Sequence, residues 1–195
     1  METVLTYEIV KPAESLPEAL YLSRLRPLKP RALPLLAQET HRLAAELNPL
    51  GRYLYRRAEA PFPHLLLQTW GAPRDRLPEG LLLEGPKILP RTALREGALY
   101  RFYLEAAPLK RARPFAYGEE FPRWLAKQLR GAELVNLRLL PIEVFPLPKG
   151  GRLLVGKAQG VLRVRDLERF WSVLALGVGR GRAYGLGLLS LGGAR

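Results

Sequence analysis

The period of apolar positions changes several times along the chain, and each change predicts an element. Thr3 to Val10 (T-V-L-T-Y-E-I-V) is β-branched and apolar and predicts a strand. Lys11 to Arg31 is rich in proline and arginine and predicts irregular chain. A helix is predicted from Pro34, a residue suited to a first helical turn, through Leu47, ending before Asn48-Pro49. Within it Leu36, Leu43 and Leu47 fall on one stripe at ~100° per residue. Arg52 to Arg57 (R-Y-L-Y-R-R) alternates as a strand does, and His64 to Trp70 predicts another. Pro73 to Arg95 carries repeated proline and glycine and predicts a bridge between two halves.

The second half has sharper boundaries. Leu99 to Glu105 predicts a strand. Glu119 to Arg130 predicts a helix with Phe121, Trp124, Leu125 and Leu129 on one face and Gly131 as its stop. Strands are predicted at Val135 to Phe145 and Arg152 to Val164, joined by the turn Pro148-Lys149-Gly150-Gly151. Asp166 is placed to cap a helix over Leu167 to Leu176, with Leu167, Phe170, Trp171 and Leu174 inward. A glycine-rich loop and a strand at Leu186 to Leu191 complete β-α-β-β-α-β, the ferredoxin-like order. The first half reads β-α-β-β before the pattern fades. The expected class is therefore α+β, with two tandem ferredoxin-like (RRM-like) domains over residues 1–88 and 89–195.

Charge narrows the range of partners. Among 195 residues, 31 Lys plus Arg against 18 Asp plus Glu give a net charge of +13, which suits a polyanion. No cysteine is present, which removes disulfides, zinc ribbons, iron–sulfur clusters and thiol nucleophiles. The aspartates are Asp75 and Asp166 and the histidines are His41 and His64, so no carboxylate cluster stands at a metal-ligand spacing. There is no G-x-S-x-G and no G-x-x-x-x-G-K-[ST]. Any catalysis is expected to proceed without metal or other cofactor, through histidine and basic groups. No apolar run approaches the ~20 residues of a membrane span, and Met1-Glu2-Thr3 opens no leader, which predicts a cytoplasmic protein without a membrane partner.

Three segments can carry chemistry. The predicted first helix puts His41 away from its apolar stripe, on a polar face with Gln38 and Ala45 and beside Arg42. A histidine there is either an ordinary surface residue or a group that exchanges protons with a ribose hydroxyl or a leaving oxygen. His64, in an apolar strand after Phe62-Pro63, reads as structural. The loop G-V-G-R-G-R-A-Y-G-L-G spans residues 177 to 187 and interleaves Gly177, Gly179 and Gly181 with Arg180 and Arg182. Its backbone can cradle phosphates, or its glycines can serve close packing alone; the arginines favour phosphate. The basic patches are Lys110, Arg111 and Arg113; Lys149, Arg152 and Lys157; and Arg52, Arg56 and Arg57 interleaved with Tyr53 and Tyr55. Such patches are solvated faces or sites where phosphates and bases are held.

The run G-V-G-R-G-R-A-Y-G-L-G-L-L-S-L over residues 177–191 resembles the glycine-rich signature of the RAMP superfamily of CRISPR proteins, within it most the CasE (Cse3) endoribonucleases of type I-E Cascade. L-R-E-G with Y-R-F-Y-L-E-A-A-P-L-K-R resembles the start of that family's second domain, His41-Arg42 its catalytic histidine region, and P-K-G-G-R-L-L-V-G-K its basic hairpin. The resemblance implies tandem ferredoxin-like domains and binding of the repeat stem-loop of precursor CRISPR RNA. It implies metal-independent cleavage at the 3′ base of the stem by 2′-OH attack, leaving a 2′,3′-cyclic phosphate (or a 3′ phosphate after ring opening) and a 5′-OH. His41 would be the general acid or base, and Lys149, Arg152 or Lys157 would stabilise the phosphorane. The product RNA would stay bound and other Cascade subunits would be partners, with no small-molecule substrate. The family commonly has a tyrosine one turn before the histidine, where this chain has Gln38. The proton inventory then rests on His41 alone or on a tyrosine from elsewhere, such as Tyr53 or Tyr55. A non-catalytic RNA-binding subunit and a basic RNA-binding module of ribosomal type are the alternatives.

Overall fold

The computed structural model describes residues 15–48, 50, 52–108, 116–147 and 150–193. The strand expected at Thr3–Val10 lies outside them. Strand β1 (Ala19–Pro27) is followed by two short helices, α1 (Leu33–Gln38) and α2 (Thr40–Leu47), and by β2 (Tyr53–Ala58), β3 (His64–Thr69) and β4 (Leu81–Pro90). The second half comprises β5 (Leu99–Ala106), α3 (Tyr117–Gln128), β6 (Ala132–Pro146), β7 (Arg152–Val164), α4 (Leu167–Leu176) and β8 (Ser190–Gly193). The two antiparallel sheets are ordered β2-β3-β1-β4 and β6-β7-β5-β8, the same ferredoxin-like order twice. In the first sheet extended chain replaces the second helix between β3 and β4.

Four expectations are corrected. The segment read as irregular contains β1. Its arginines are accommodated because Arg26 bonds Glu84 of β4 at 2.5 Å and Arg24 pairs with the same carboxylate at 3.6 Å. A bulge between Leu22 and Arg24 breaks its alternation. The segment read as a bridge contains β4, an edge strand, where a proline costs no ladder bond. The single helix from Pro34 to Leu47 is two helices, broken at Glu39 (φ −117°, ψ 19°). The last strand begins at Ser190, because Leu186 to Leu189 are buried loop rather than ladder.

The remaining boundaries follow their chemistry. Asp166 caps α4 by accepting from the Arg169 amide at 3.0 Å. Phe170, Trp171 and Leu174 are buried beneath that cap, with Phe121, Leu125 and Leu129 of the α3 segment against the same sheet. Gly156 lies under Phe121: a Cβ there would stand 2.2 Å from the ring. A second core gathers Leu25, Leu36, Leu43, Leu47, Tyr55, Leu65 and Leu67. The domains are docked by bonds as well as apolar area. The Trp171 indole donates to the Pro17 carbonyl (2.7 Å), the Gln68 amide to Leu174 (2.8 Å) and the Trp70 indole to Ala175 (3.1 Å), while Leu20 is buried in the core of the second domain. This fixes the first-domain helices relative to the glycine-rich loop.

Candidate RNA-cleavage site

The break at Glu39 restarts the helix at Thr40, so His41 stands in the first turn of α2 with its side chain exposed. Leu43, Ala44 and Leu47 anchor the buried face of that helix. Thr40 is held from below: its hydroxyl donates to the Leu36 carbonyl and accepts from Arg57 Nε at 3.0 Å and Nη2 at 2.7 Å. Arg57 Nη2 also donates to the Ala37 carbonyl at 2.5 Å. Strand β2 therefore grips the turn that carries the histidine.

The same strand supplies the histidine's partner. The Tyr53 hydroxyl lies 2.8 Å from His41 Nδ1. Tyr53 and Tyr55, two residues apart on one face, are stacked with centroids 6.4 Å apart, and both rings lie within 6.5 Å of the imidazole. Burial raises the Tyr53 pKa above its ordinary value, so this phenol stays protonated at neutral pH. With the phenol donating to Nδ1, the neutral imidazole carries its proton on Nε2 and offers a hydrogen-bond donor there. With Nδ1–H donating to the phenol oxygen, Nε2 is a free base in the neutral ring and an acid in the imidazolium. The phenol thus supports both protonation states.

The glycine-rich loop reaches this site from the second domain. The Tyr55 hydroxyl donates to the Ala183 carbonyl at 2.5 Å, and a Cβ at Gly185 would stand 2.8 Å from the Tyr55 ring. A Cβ at Gly177 would stand 2.9 Å from Leu54, one at Gly179 2.6 Å from the Ala107 carbonyl oxygen, and one at Gly181 2.8 Å from Leu186, and all three residues have positive φ. These glycines serve close packing, one of their two open readings. Arg180 and Arg182 nevertheless project outward, and Arg182 Nη2 reaches the Gly177 carbonyl at 3.4 Å. Burial lowers the Arg182 pKa, and the like charge of Arg52 lowers it further. Two guanidiniums from different domains are therefore held near each other, an arrangement that an anion would relieve.

Burial pushes the Tyr55 phenol up to about 12, with Arg57 opposing and the Tyr53 and Tyr184 phenols assisting. A group with a raised folded-state pKa stabilises the fold fully below its unfolded value near 10, and that contribution is lost as pH rises through about 12. Urea stability is expected to fall between pH 10 and 12, and to fall less steeply in Tyr55→Phe. Identical slopes in the two proteins would contradict this.

The other sequence candidates are distributed around this centre. Arg42 is exposed and pairs with Glu39 and Glu46. Arg52 lies over the Trp70 ring at 5.7 Å. Arg56 is buried: it donates to Ser190 Oγ at 3.0 Å and the Leu188 carbonyl at 3.4 Å, and covers the Tyr103 ring at 4.5 Å. It locks the domains together. Lys157 lines an interdomain cleft of about 690 Å³ with Arg57, Tyr103, Glu105, Glu143 and Tyr184. Burial would lower its pKa, but its 2.5 Å bond to Glu143, together with Glu105, raises it overall, so it stays cationic. Arg152 is exposed on the β6–β7 hairpin. Lys110, Arg111, Arg113 and Lys149 lie outside the described residues. His64 is buried, with Nδ1 2.7 Å from the Phe62 carbonyl oxygen, as a structural histidine should be. Arg57 was legible only as part of a basic patch; its role beneath the histidine turn needs the pairing of β2 against the helices. Among the described residues no three of His, Cys, Asp and Glu converge as a metal set, and no helix is long and apolar enough to cross a membrane.

Comparisons with known proteins find relatives of the fold. A family model described as CRISPR associated protein matches residues 145–192, which contain the β7 hairpin arm, α4 and the glycine-rich loop. No curated protein matches the chain in sequence. A structure of the CRISPR endoribonuclease Cse3 bound to a 19 nt RNA is similar at TM-score 0.77 and 29% identity, covering 90% of this chain and 99% of that one. Cse3 of Thermus thermophilus, bound to an RNA representing a pre-cleavage complex, is similar at TM-score 0.77 and 28% identity, covering 89% and 98%. The CRISPR-associated protein Cas6e of Escherichia coli K-12 shares the fold at TM-score 0.64 and 21% identity, covering 89% and 100%.

Proposed function

We propose that this chain, a CasE (Cse3)-like CRISPR-associated protein, binds the repeat stem-loop of precursor CRISPR RNA and cleaves it at the 3′ base of the stem without a metal ion. The observation that carries the reading is the exposed His41 imidazole with its Nδ1 2.8 Å from the Tyr53 hydroxyl. The RNA bound to the Cse3 structures, and the name endoribonuclease, support it.

In this mechanism the ribose 2′-OH attacks its adjacent phosphorus. The P–O5′ bond breaks, leaving a 2′,3′-cyclic phosphate and a 5′-OH. His41 Nε2 either accepts the 2′-OH proton or donates one to the departing O5′. Tyr53 positions the ring and stabilises whichever state that step requires. Cationic Lys157, Arg152 and Lys149 are the candidates for the phosphorane charge. Arg42, Arg52, Arg180 and Arg182, with Lys110, Arg111 and Arg113, are those for the RNA backbone. The product RNA stays bound, and the chain joins a multisubunit Cascade complex.

A test separates Tyr53 from the position one turn before the histidine. Tyr53→Phe is expected to lower the single-turnover rate about tenfold with binding unchanged, and Gln38→Ala to change it less than about twofold. The reverse order would make Gln38 the partner and remove Tyr53 from the mechanism. Gln38, in place of the family's tyrosine, also favours a second reading, a subunit that holds RNA without cutting it. Tight hairpin binding with no cleavage by the wild type would establish that reading instead.

A further inference from the structure

The open face of the second sheet carries a row of cations that the cleavage site does not use. Arg101 of β5 and Asn136 of β6 both lie opposite Val161 of β7, and Arg138 of β6 lies opposite Gln159. Arg101, Asn136, Arg138 and Gln159 line one shallow depression of about 400 Å³. A bulge between Leu134 and Asn136 re-phases β6, so Leu137 and Leu139 pack toward the core while Asn136 and Arg138 turn outward. The Asn136 side-chain oxygen accepts from the Val161 amide at 3.0 Å and holds that turn. Arg163, two residues beyond Val161, continues the row on the same face.

These arginines differ from others on the surface. Arg24 and Arg26 are paired with Glu84, Arg42 with Glu39 and Glu46, and Arg165 with Glu133. Among the described residues Arg101 and Arg138 have no carboxylate partner. The row is also continuous with the site. Tyr103 and Glu105, on the same face of β5 as Arg101, line the cleft that holds Lys157. The first domain covers that face as far as Tyr103, where Arg56 sits on the ring, and leaves Arg101 open.

Resting on the RNA-processing reading above, the geometry points to a second RNA-binding surface, on which Arg101 and Arg138 hold the phosphates of single-stranded RNA leaving the stem-loop. A flat sheet face with two guanidiniums and two amides suits a single strand, whose phosphates and base edges are both accessible. A duplex calls for a ridge or loop that enters or spans its grooves.

The test uses the full chain with two probes: the repeat hairpin alone, and the same hairpin with a ten-nucleotide unstructured extension at each end. The wild type is expected to bind the extended RNA about tenfold more tightly. Arg101→Ala/Arg138→Ala is expected to keep hairpin affinity within about twofold, which also shows that it folds, and to lose the gain from the extensions. Its salt slope on extended RNA should fall by about 1.4, from two phosphate contacts. Wild type that binds both probes equally overturns this surface while leaving the cleavage reading intact. So does a double variant that retains the gain, or one that loses hairpin and extended RNA alike. Wild type that binds neither probe overturns both.

Discussion

Replacing His41 with alanine is expected to lower single-turnover cleavage of the repeat hairpin by about 10³-fold, within the range of about 10²–10⁴ that a positioned acid or base supplies. The side chain is exposed and belongs to neither core, so the fold loses little by its removal. The melting temperature should hold within about 1 °C and hairpin affinity within about twofold. A matching loss of affinity would mean that the histidine holds phosphate rather than moves a proton. A rate within about threefold of wild type would remove it from the chemistry.

Gly187→Ala is the second large effect, and it acts on the fold. Gly187 has φ +89°, and a Cβ there would stand 2.6 Å from the Val178 carbonyl oxygen, which is backbone and has little freedom to move. The Gly187 amide donates to the Glu105 carbonyl at 2.8 Å and its carbonyl accepts from Val178 at 3.0 Å, so both sides of the loop are pinned. Left-handed strain plus overpacking should cost about 3 kcal/mol. For a chain of this size that lowers Tm by about 6–12 °C. Calorimetry checks it, and an unchanged Tm would mean that the loop is not packed in this way. Arg182→Ala in the same loop should instead keep the Tm and weaken RNA binding, which separates the loop's packing from its contact with phosphate.

The second domain, its last strand apart, was legible because its boundaries have local causes. Asp166 caps a helix, Gly131 ends one, and apolar residues recur at helical spacing between them. The first domain was not, because its strands break the local rules. In β1 arginines stand where alternation expects apolar residues, and the carboxylate that accepts two of them lies 58 positions away from Arg26. Strand β4 contains Pro86, which its edge position tolerates.

The site divides the same way. The exposure of His41 follows from the apolar stripe around it, although the helix carrying that stripe is broken. Tyr53 was one of two tyrosines that could stand in for the absent one, and only the pairing of β2 against α2 brings its hydroxyl to Nδ1. Arg56 looks in sequence like its neighbours, but the docking of the domains buries it. The glycine spacing was visible, yet the bodies it accommodates, Leu54, Tyr55 and Trp124, come from other elements.

Cleavage is expected to use the RNA's own 2′-hydroxyl, and a substrate that lacks this one group tests it. Wild-type protein in EDTA is given the repeat hairpin and an identical hairpin with a single 2′-deoxy substitution at the nucleotide preceding the scissile phosphate. Cleavage of the first to a 2′,3′-cyclic phosphate, with the second left intact, is the predicted result. Cleavage of the deoxy hairpin, or a requirement for added divalent metal, would rule out metal-free attack by the 2′-hydroxyl.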